Sequence, residues 1–177
     1  MGLRVTRGVF AGSAALLLAG SIAMHAGVAA GRPALPVPRP PIAAAVLGEL
    51  NAERAAHGLP ALRPSSALEA SALRHARAMA RADAMSHRLP GEAPFTARIR
   101  AAGYPWRWAG ENIAWNSALG TAGAVQLERI MYRERPPADE HRVNILDPHY
   151  RDVGVAVLLD PAHHRLWLTT DFGARGV

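Results

Sequence analysis

The sequence contains no cysteine and no lysine, and both absences limit what the protein can be. Without cysteine there can be no disulfide, no thiolate nucleophile and no cysteine-ligated zinc. All 20 basic residues are arginine, and against 14 acidic residues they give a net charge of +6. The arginines are scattered among acidic residues rather than grouped, which argues against a nucleic-acid partner. The 177 residues, half of them hydrophobic, suffice for one folded domain with a core.

The first thirty residues have the pattern of a secretory signal peptide. Arg4 and Arg7 precede a nearly apolar run over residues 11–23, and Val28-Ala29-Ala30 supplies small residues suited to cleavage. The apolar run is short for a bilayer span of about 20 residues, so membrane contact is expected only through this segment before cleavage. Its removal leaves 18 basic and 14 acidic residues, a net charge of +4. We therefore expect a protein that is secreted, either extracellular or in the cell envelope.

A proline-rich stretch at residues 31–41 predicts an extended linker, and residues 42–177 form the predicted domain. Hydrophobic periodicity predicts helices over 42–57, 66–84, 94–102 and 121–135. It also predicts strands over 111–115, 153–159 and 165–172, with the last two antiparallel. Ser66 is the expected N-cap of the second helix. His75 lies on the apolar face of that helix, so we expect a core histidine that is hydrogen-bonded to a backbone carbonyl.

Four residues stand out at the ends of predicted elements: His87, Glu111, Glu134 and His141. At about 100° per residue, Glu134 falls within about 20° of Leu127 on the buried stripe of the last long helix. A carboxylate on such a stripe needs a cation, a metal or a proton. Glu128 lies about 120° away from Glu134 and is expected to be solvated.

The sequence resembles the CAP superfamily, which comprises the cysteine-rich secretory proteins, antigen 5 and the pathogenesis-related proteins. It is most similar to the bacterial extracellular branch called SCP-like. The resemblance covers residues 43–173 and is carried by eight blocks in the family's order: Leu50 to Arg54, the helix with His75-Ala76 and Met79, Ser86-His87, Arg98 to Tyr104, Gly110 to Ala114, His141 to Leu146, Val153 to Val155, and Trp167 to Gly173.

This resemblance implies an α+β fold, a three-layer α-β-α sandwich around a small and mostly antiparallel sheet. It also implies a cleft with two histidines and two glutamates, which match His87, Glu111, Glu134 and His141. The tryptophan and Ser-Pro-Gly-His turn usual in the family are missing before His141, so Glu140 is a rival of Glu134. Asn112 and Asn144 are expected to line the ligand cleft.

Two functional hypotheses follow from this cleft. The first is a non-catalytic extracellular binding module for a lipid, a wall fragment or a peptide, whose four residues hold zinc or another divalent cation or form a charge network without one. The second is a metal-dependent hydrolase of protease type that uses the same residues, since no nucleophile is positioned by a motif. We expect no nucleic-acid partner and a monomeric protein.

Overall fold

The computed structural model describes residues 2–5, 37–38 and 40–176. These residues form six strands and five helices, which in chain order are β1 (Gly2–Val5), β2 (Val37–Pro38), α1 (Pro40–Ala55), β3 (Arg63–Pro64), α2 (Ser66–Ala82), α3 (Phe95–Ala101), β4 (Trp106–Asn116), α4 (Thr121–Tyr132), α5 (Glu140–Ile145), β5 (Asp152–Asp160) and β6 (Arg165–Arg175).

The sheet is built around three long antiparallel strands. Its order is β1-β4-β6-β5-β2, and β3 also pairs with β5. The pairs β4–β6, β5–β6 and β2–β5 are antiparallel, whereas β1 and β3 pair in parallel with their neighbours. The predicted hairpin of the last two strands and the predicted mostly antiparallel sheet are therefore confirmed.

Helices cover both faces of the sheet. On β5, Val153, Val155 and Val157 pack in one core cluster with side chains of α1, α4 and α5. Leu158, which points to the opposite face, packs in a second cluster with Trp167 and side chains of α2. Because neighbouring strand residues point to opposite faces, the two clusters are two layers separated by the sheet. This is the expected α-β-α sandwich.

Helix α2 lies unusually close to the sheet. A Cβ atom at Gly154 of β5 would stand 2.0 Å from the backbone nitrogen of Glu69 and 2.1 Å from the carbonyl carbon of Leu68. Only glycine leaves room for this approach. The N-cap of α2 is Ser65, whose hydroxyl accepts a hydrogen bond from the Leu68 amide, and not Ser66 as predicted.

Several predicted boundaries differ from the structure. Helix α1 begins at Pro40, where proline is tolerated in a first turn. Helix α4 ends at Tyr132 rather than at residue 135. The short helix α5 was not predicted, and β4 begins at Trp106, five residues before the predicted start at residue 111.

The predicted signal peptide and linker lie mostly outside the described residues, so both stay predictions. Within them, the structure describes Gly2–Val5, which pairs with residues 108–111 of β4, and Val37–Pro38, which pairs with β5. It also describes residues 40–41, which begin α1 and are therefore helical instead of extended. Among the helices of the described residues, none combines the length and the apolar character needed to cross a bilayer.

Candidate functional site

The first half of the site is a buried ion cluster centred on Glu111 of β4. Nδ1 of His87, in the segment after α2, lies 2.8 Å from Oε1 of Glu111. From α3, Nη2 of Arg98 donates to the other carboxylate oxygen at 2.7 Å and to the His87 carbonyl at 3.1 Å. Glu111 is fully buried and His87 and Arg98 are nearly so. The guanidinium therefore fixes both members of the His87–Glu111 pair.

The surrounding charges keep Glu111 ionised. Burial alone would raise the pKa of Glu111, but the hydrogen bond with His87 and the charges of His75, Arg98 and His87 outweigh burial and lower it. His75 contributes from α2, with its Nε2 3.9 Å from a carboxylate oxygen of Glu111. A carboxylate in this state is a hydrogen-bond acceptor that holds the imidazole of His87 in one orientation.

The second half of the site is the pair formed by Glu134 and His141. Oε1 of Glu134 lies 2.6 Å from Nδ1 of His141, and its other oxygen accepts from the His141 backbone amide at 3.0 Å. Glu140, the rival, is exposed. Glu134 lies two residues beyond the end of α4, so it reaches His141 from the connecting segment and not from the helix face.

The two pairs lie on opposite sides of β4. Glu111 and Asn112 are neighbours in the strand, so their side chains point to opposite layers. Asn112 donates to the carbonyl of His141 at 3.1 Å, and Asn144 of α5 donates to Oδ1 of Asn112 at 2.9 Å and to the Glu111 carbonyl at 3.3 Å. Both asparagines are fully buried. The side chains of both asparagines are engaged in hydrogen bonds that connect β4 to α5. Their expected contact with a ligand stays a prediction.

A cavity of about 210 Å³ lies beside the second pair. Its walls are mostly apolar, and His141 contributes an imidazole. The lining residues come from the segment after α2, from β4, from α4 and from α5: Met85, Ile113, Ala114, Trp115, Asn116, Gln126, Leu127, Ile130, Met131 and His141. Neither Asn112 nor Asn144 belongs to this lining.

The described arrangement leaves one nitrogen available on each histidine. In His87 and in His141 the Nδ1 atom faces a carboxylate, while Nε2 is buried without a hydrogen-bond partner among the described residues. An imidazole oriented by a carboxylate in this way is a typical metal donor. Within the described part of the chain, however, no three His, Asp or Glu side chains form a group that could hold an ion. The ligand set of four stays a prediction, in which Nε2 of each histidine is the candidate donor atom.

Further buried polar groups surround the first pair. Nδ1 of His75 lies 2.8 Å from a carboxylate oxygen of Glu92, so the prediction of a carbonyl partner was wrong. Asp171 of β6 lies directly across from Glu111 and is fully buried. Burial, followed by the negative charge of Glu111, raises the pKa of Asp171 well above its usual value. Only the register of β4 against β6 could have revealed this contact.

The expectation for Glu128 was also wrong. This residue is fully buried on α4, and both of its carboxylate oxygens lack a hydrogen-bond partner among the described residues. Burial raises the pKa of Glu128 well above its usual value, with Glu53 and Glu49 of α1 adding to the effect. Helix α1 covers this part of α4, and hydrophobic periodicity in α4 alone does not contain that information.

The sequence over residues 47–172 matches the model of the CAP family, described as the cysteine-rich secretory protein family. No curated protein matches this sequence.

Three solved structures illustrate the likeness in fold. An extracellular protein with an SCP domain from Bacillus anthracis is 24% identical, with a TM-score of 0.61, over 74% of this chain and 39% of that one. An outer surface protein from Borrelia burgdorferi is 16% identical, with a TM-score of 0.67, over 77% and 95%. NaASP2, solved with Zn²⁺, is 12% identical, with a TM-score of 0.58, over 78% and 82%. This chain thus corresponds to well under half of the Bacillus protein.

Proposed function

Because this chain belongs to the CAP family of cysteine-rich secretory proteins, we propose that it is an exported, non-catalytic binding module that takes its ligand in the cavity beside His141. Two of the similar proteins are described as extracellular or outer-surface proteins, which supports export. The basic and apolar pattern of the first thirty residues supports it independently.

The cavity at β4 is the observation that carries this proposal. It combines apolar walls from Ile113, Leu127 and Met131 with the imidazole of His141, whose buried Nε2 lacks a partner among the described residues. Binding sites commonly pair an apolar lining with a few fixed polar groups. A buried ring nitrogen without a partner is costly, and a ligand that hydrogen-bonds to it removes that cost.

We propose further that His87 and His141 supply the protein donors for a divalent cation, with zinc the first candidate. Glu111 and Glu134 then orient the two ligands: each holds one imidazole through Nδ1, so that Nε2 can bind the cation. The structure of NaASP2 with Zn²⁺ supports testing zinc first. Bound zinc would supply a Lewis acid that ligand oxygen atoms can bind.

The geometry does not favour the alternative of a metal-dependent hydrolase. Such a mechanism needs a carboxylate that can take a proton from water. The carboxylate of Glu111 is engaged by His87 and Arg98, and that of Glu134 binds His141 through its side chain and its backbone. Neither Glu111 nor Glu134 is among the residues that line the cavity.

The cavity is tested with the fluorescent apolar anion 8-anilinonaphthalene-1-sulfonate. Ile130 lines the cavity and is 42% exposed, while Leu119 is 39% exposed and does not line it. We expect Ile130→Glu to weaken binding of the dye by about tenfold and Leu119→Glu, its control, to leave binding unchanged. Equal effects of the two substitutions, or no binding at all, would contradict the proposal.

The metal claim has its own test. Calorimetric titration of zinc into the purified chain should show one site that is lost in His87→Ala and in His141→Ala. His149→Ala is the control, because His149 is half exposed and lies 2.8 Å from Asp147, outside the cavity. Zinc binding that survives both His87→Ala and His141→Ala would exclude this donor set.

A further inference from the structure

We propose that the edge of β4 is a docking site for an extended peptide, which adds to the sheet as a strand parallel to β4 and places side chains in the cavity beside His141. This inference rests on the proposed binding function and deepens it by naming the class of ligand.

The edge of β4 already carries a strand in the structure. The backbone of Gly2–Val5 pairs in parallel with residues 108–111, with Gly2 opposite Trp108 and Val5 opposite Glu111. An edge strand presents a row of backbone donors and acceptors, and strand addition is a common way to bind peptides. The β1–β4 pairing shows that this edge has the geometry to accept a parallel strand.

Beyond that short pairing, β4 continues with no strand of the described residues on the same side. β4 runs to Asn116, and its other edge pairs with β6 along its length. On the edge next to β1, no strand of the described residues pairs with residues 112–116. A strand that continues in the direction of β1 would therefore meet an edge that is free of strand partners.

The cavity lies along this same stretch. Ile113 and Ala114 are adjacent in β4, so they point to opposite faces of the sheet, yet both line the cavity. The cavity therefore runs past the edge of the strand and not over one face. Met85 bounds it from the α2 layer, and Ile130 of α4 bounds it from the other layer. A strand added here would have one apolar wall on each side, which suits the alternating side chains of an extended peptide.

A peptide fits this edge better than a lipid does. Each residue of an added strand brings one N–H and one C=O, which match the alternating backbone groups of an edge. An acyl chain fills apolar space but has no row of polar groups, so it leaves the edge unmatched. The parallel direction sets the polarity of the complex: the peptide would pair first with residues 108–111, and its C-terminal part would reach the cavity.

The experiment uses the full chain, including the predicted signal segment that contains β1, and disables the pairing of β1. Proline has no N–H, and adjacent strand residues alternate in facing the partner, so the double substitution Leu3→Pro/Arg4→Pro disrupts either parity of pairing. The probe is a fluorescein-labelled synthetic copy of residues 2–11, GLRVTRGVFA. Fluorescence anisotropy should show binding to the double variant about tenfold tighter than to the unaltered chain, because the edge no longer carries its own strand.

Two comparisons make this test specific. Adding Ile130→Glu to the double variant should weaken peptide binding by about tenfold, and adding Leu119→Glu should not change it. Peptides N-methylated at every odd residue or at every even residue should differ, one series losing binding and the other keeping it, because only alternate amides face β4. Far-UV circular dichroism confirms that each variant is folded.

Equal binding of the two N-methylated series would overturn the strand proposal, as would an absence of peptide binding up to about 1 mM. A fluorescent fatty acid separates this failure from that of the proposed function. If the fatty acid binds, is weakened by Ile130→Glu and the peptide does not bind, the binding module stands and the strand proposal alone is overturned. If neither binds, both are overturned.

Discussion

The substitution Glu53→Gln tests the buried acids between α1 and α4. Glu53 is 6% exposed, and neither of its carboxylate oxygens has a hydrogen-bond partner among the described residues. Burial, followed by the charge of Glu49, raises the pKa of Glu53 from 4.5 to about 8, and Arg129 and Arg133 oppose this. Glutamine has nearly the shape of the protonated acid but does not titrate. The substitution therefore removes the pH-dependent charge and changes little else.

The direction of the stability change with pH depends on whether the folded or the unfolded state binds the proton more tightly. Because the pKa of Glu53 is higher in the folded state, the folded protein keeps this proton at pH values where the unfolded chain has released it. The stabilisation from Glu53 is therefore complete below about pH 4.5 and is lost as the pH rises towards about 8. Glu53→Gln should gain stability relative to the unaltered chain across this window.

The pKa shift of Glu53 also sets an upper bound on this change in unfolding free energy. A rise from 4.5 to about 8 corresponds to about 5 kcal/mol at about 1.4 kcal/mol per pKa unit. Only part of this difference develops between pH 5 and pH 8, and relaxation of the protein around the charged carboxylate lowers its cost further, so we expect about 2 kcal/mol. In urea unfolding followed by circular dichroism, the difference in unfolding free energy between Glu53→Gln and the unaltered chain should grow by about 2 kcal/mol from pH 5 to pH 8.

The exposed Glu69 of α2 supplies the control. Glu69→Gln should give a difference from the unaltered chain that does not grow over the same pH range. Glu128→Gln should follow Glu53→Gln in sign and exceed it in size, since Glu128 is fully buried and its pKa is also raised. If the difference in unfolding free energy between Glu53→Gln and the unaltered chain stays constant from pH 5 to pH 8, then Glu53 and Glu128 do not hold protons in the folded state. The packing of α1 on α4 must then differ.

Three further substitutions test the scaffold by chemical or thermal unfolding. Gly154→Ala should destabilise the fold by about 3 kcal/mol, because its Cβ would overlap the backbone of α2, whereas Gly48→Ala in α1 meets no atom within 4 Å and should be neutral or slightly stabilising. Ser65→Ala should cost about 1 kcal/mol by removing the N-cap of α2, and Ser66→Ala should cost less than half of that. Arg98→Met should cost about 3 kcal/mol, because it leaves the buried carboxylate of the first pair without its guanidinium.

The sequence indicated one cleft of four residues, whereas the structure joins them as two separate His–Glu pairs. One of the reasons for choosing Glu134 is also not supported by the structure. Glu134 was placed by a helical angle from Leu127, yet α4 ends at Tyr132. The same argument excluded Glu128, which is buried. At about 100° per residue the buried positions of α4, from Gly123 to Met131, span about 140° of its circumference, because α1 covers the helix beside the sheet. One stripe of apolar residues cannot reveal a second packing partner.

Contacts made by sheet register were beyond the reach of sequence spacing. Asp171 meets Glu111 because β4 and β6 pair as neighbours, although 60 positions separate the two residues in the chain. The contact of Arg98 with Glu111 could not be predicted either, because nothing in the sequence of α3 specifies which carboxylate its guanidinium reaches. By contrast, the hairpin of β5 and β6 follows from two apolar runs joined by a short turn, and local signals of this kind were predicted correctly.

The change in character along β4 explains why a ligand site can exist beside so rigid a cluster. Glu111 and Asn112 point to opposite layers, and each is hydrogen-bonded to a histidine through its side chain, so this part of the strand is fixed from both sides. Such buried polar contacts tolerate little displacement, because each broken bond leaves an unpaired group. From Ile113 onward the side chains are mainly apolar and border a cavity. Apolar contacts are not directional, so this part can accommodate different side chains while the adjoining polar part keeps the strand in place. In the proposed binding function, the His–Glu pairs would fix the edge against which a ligand is placed.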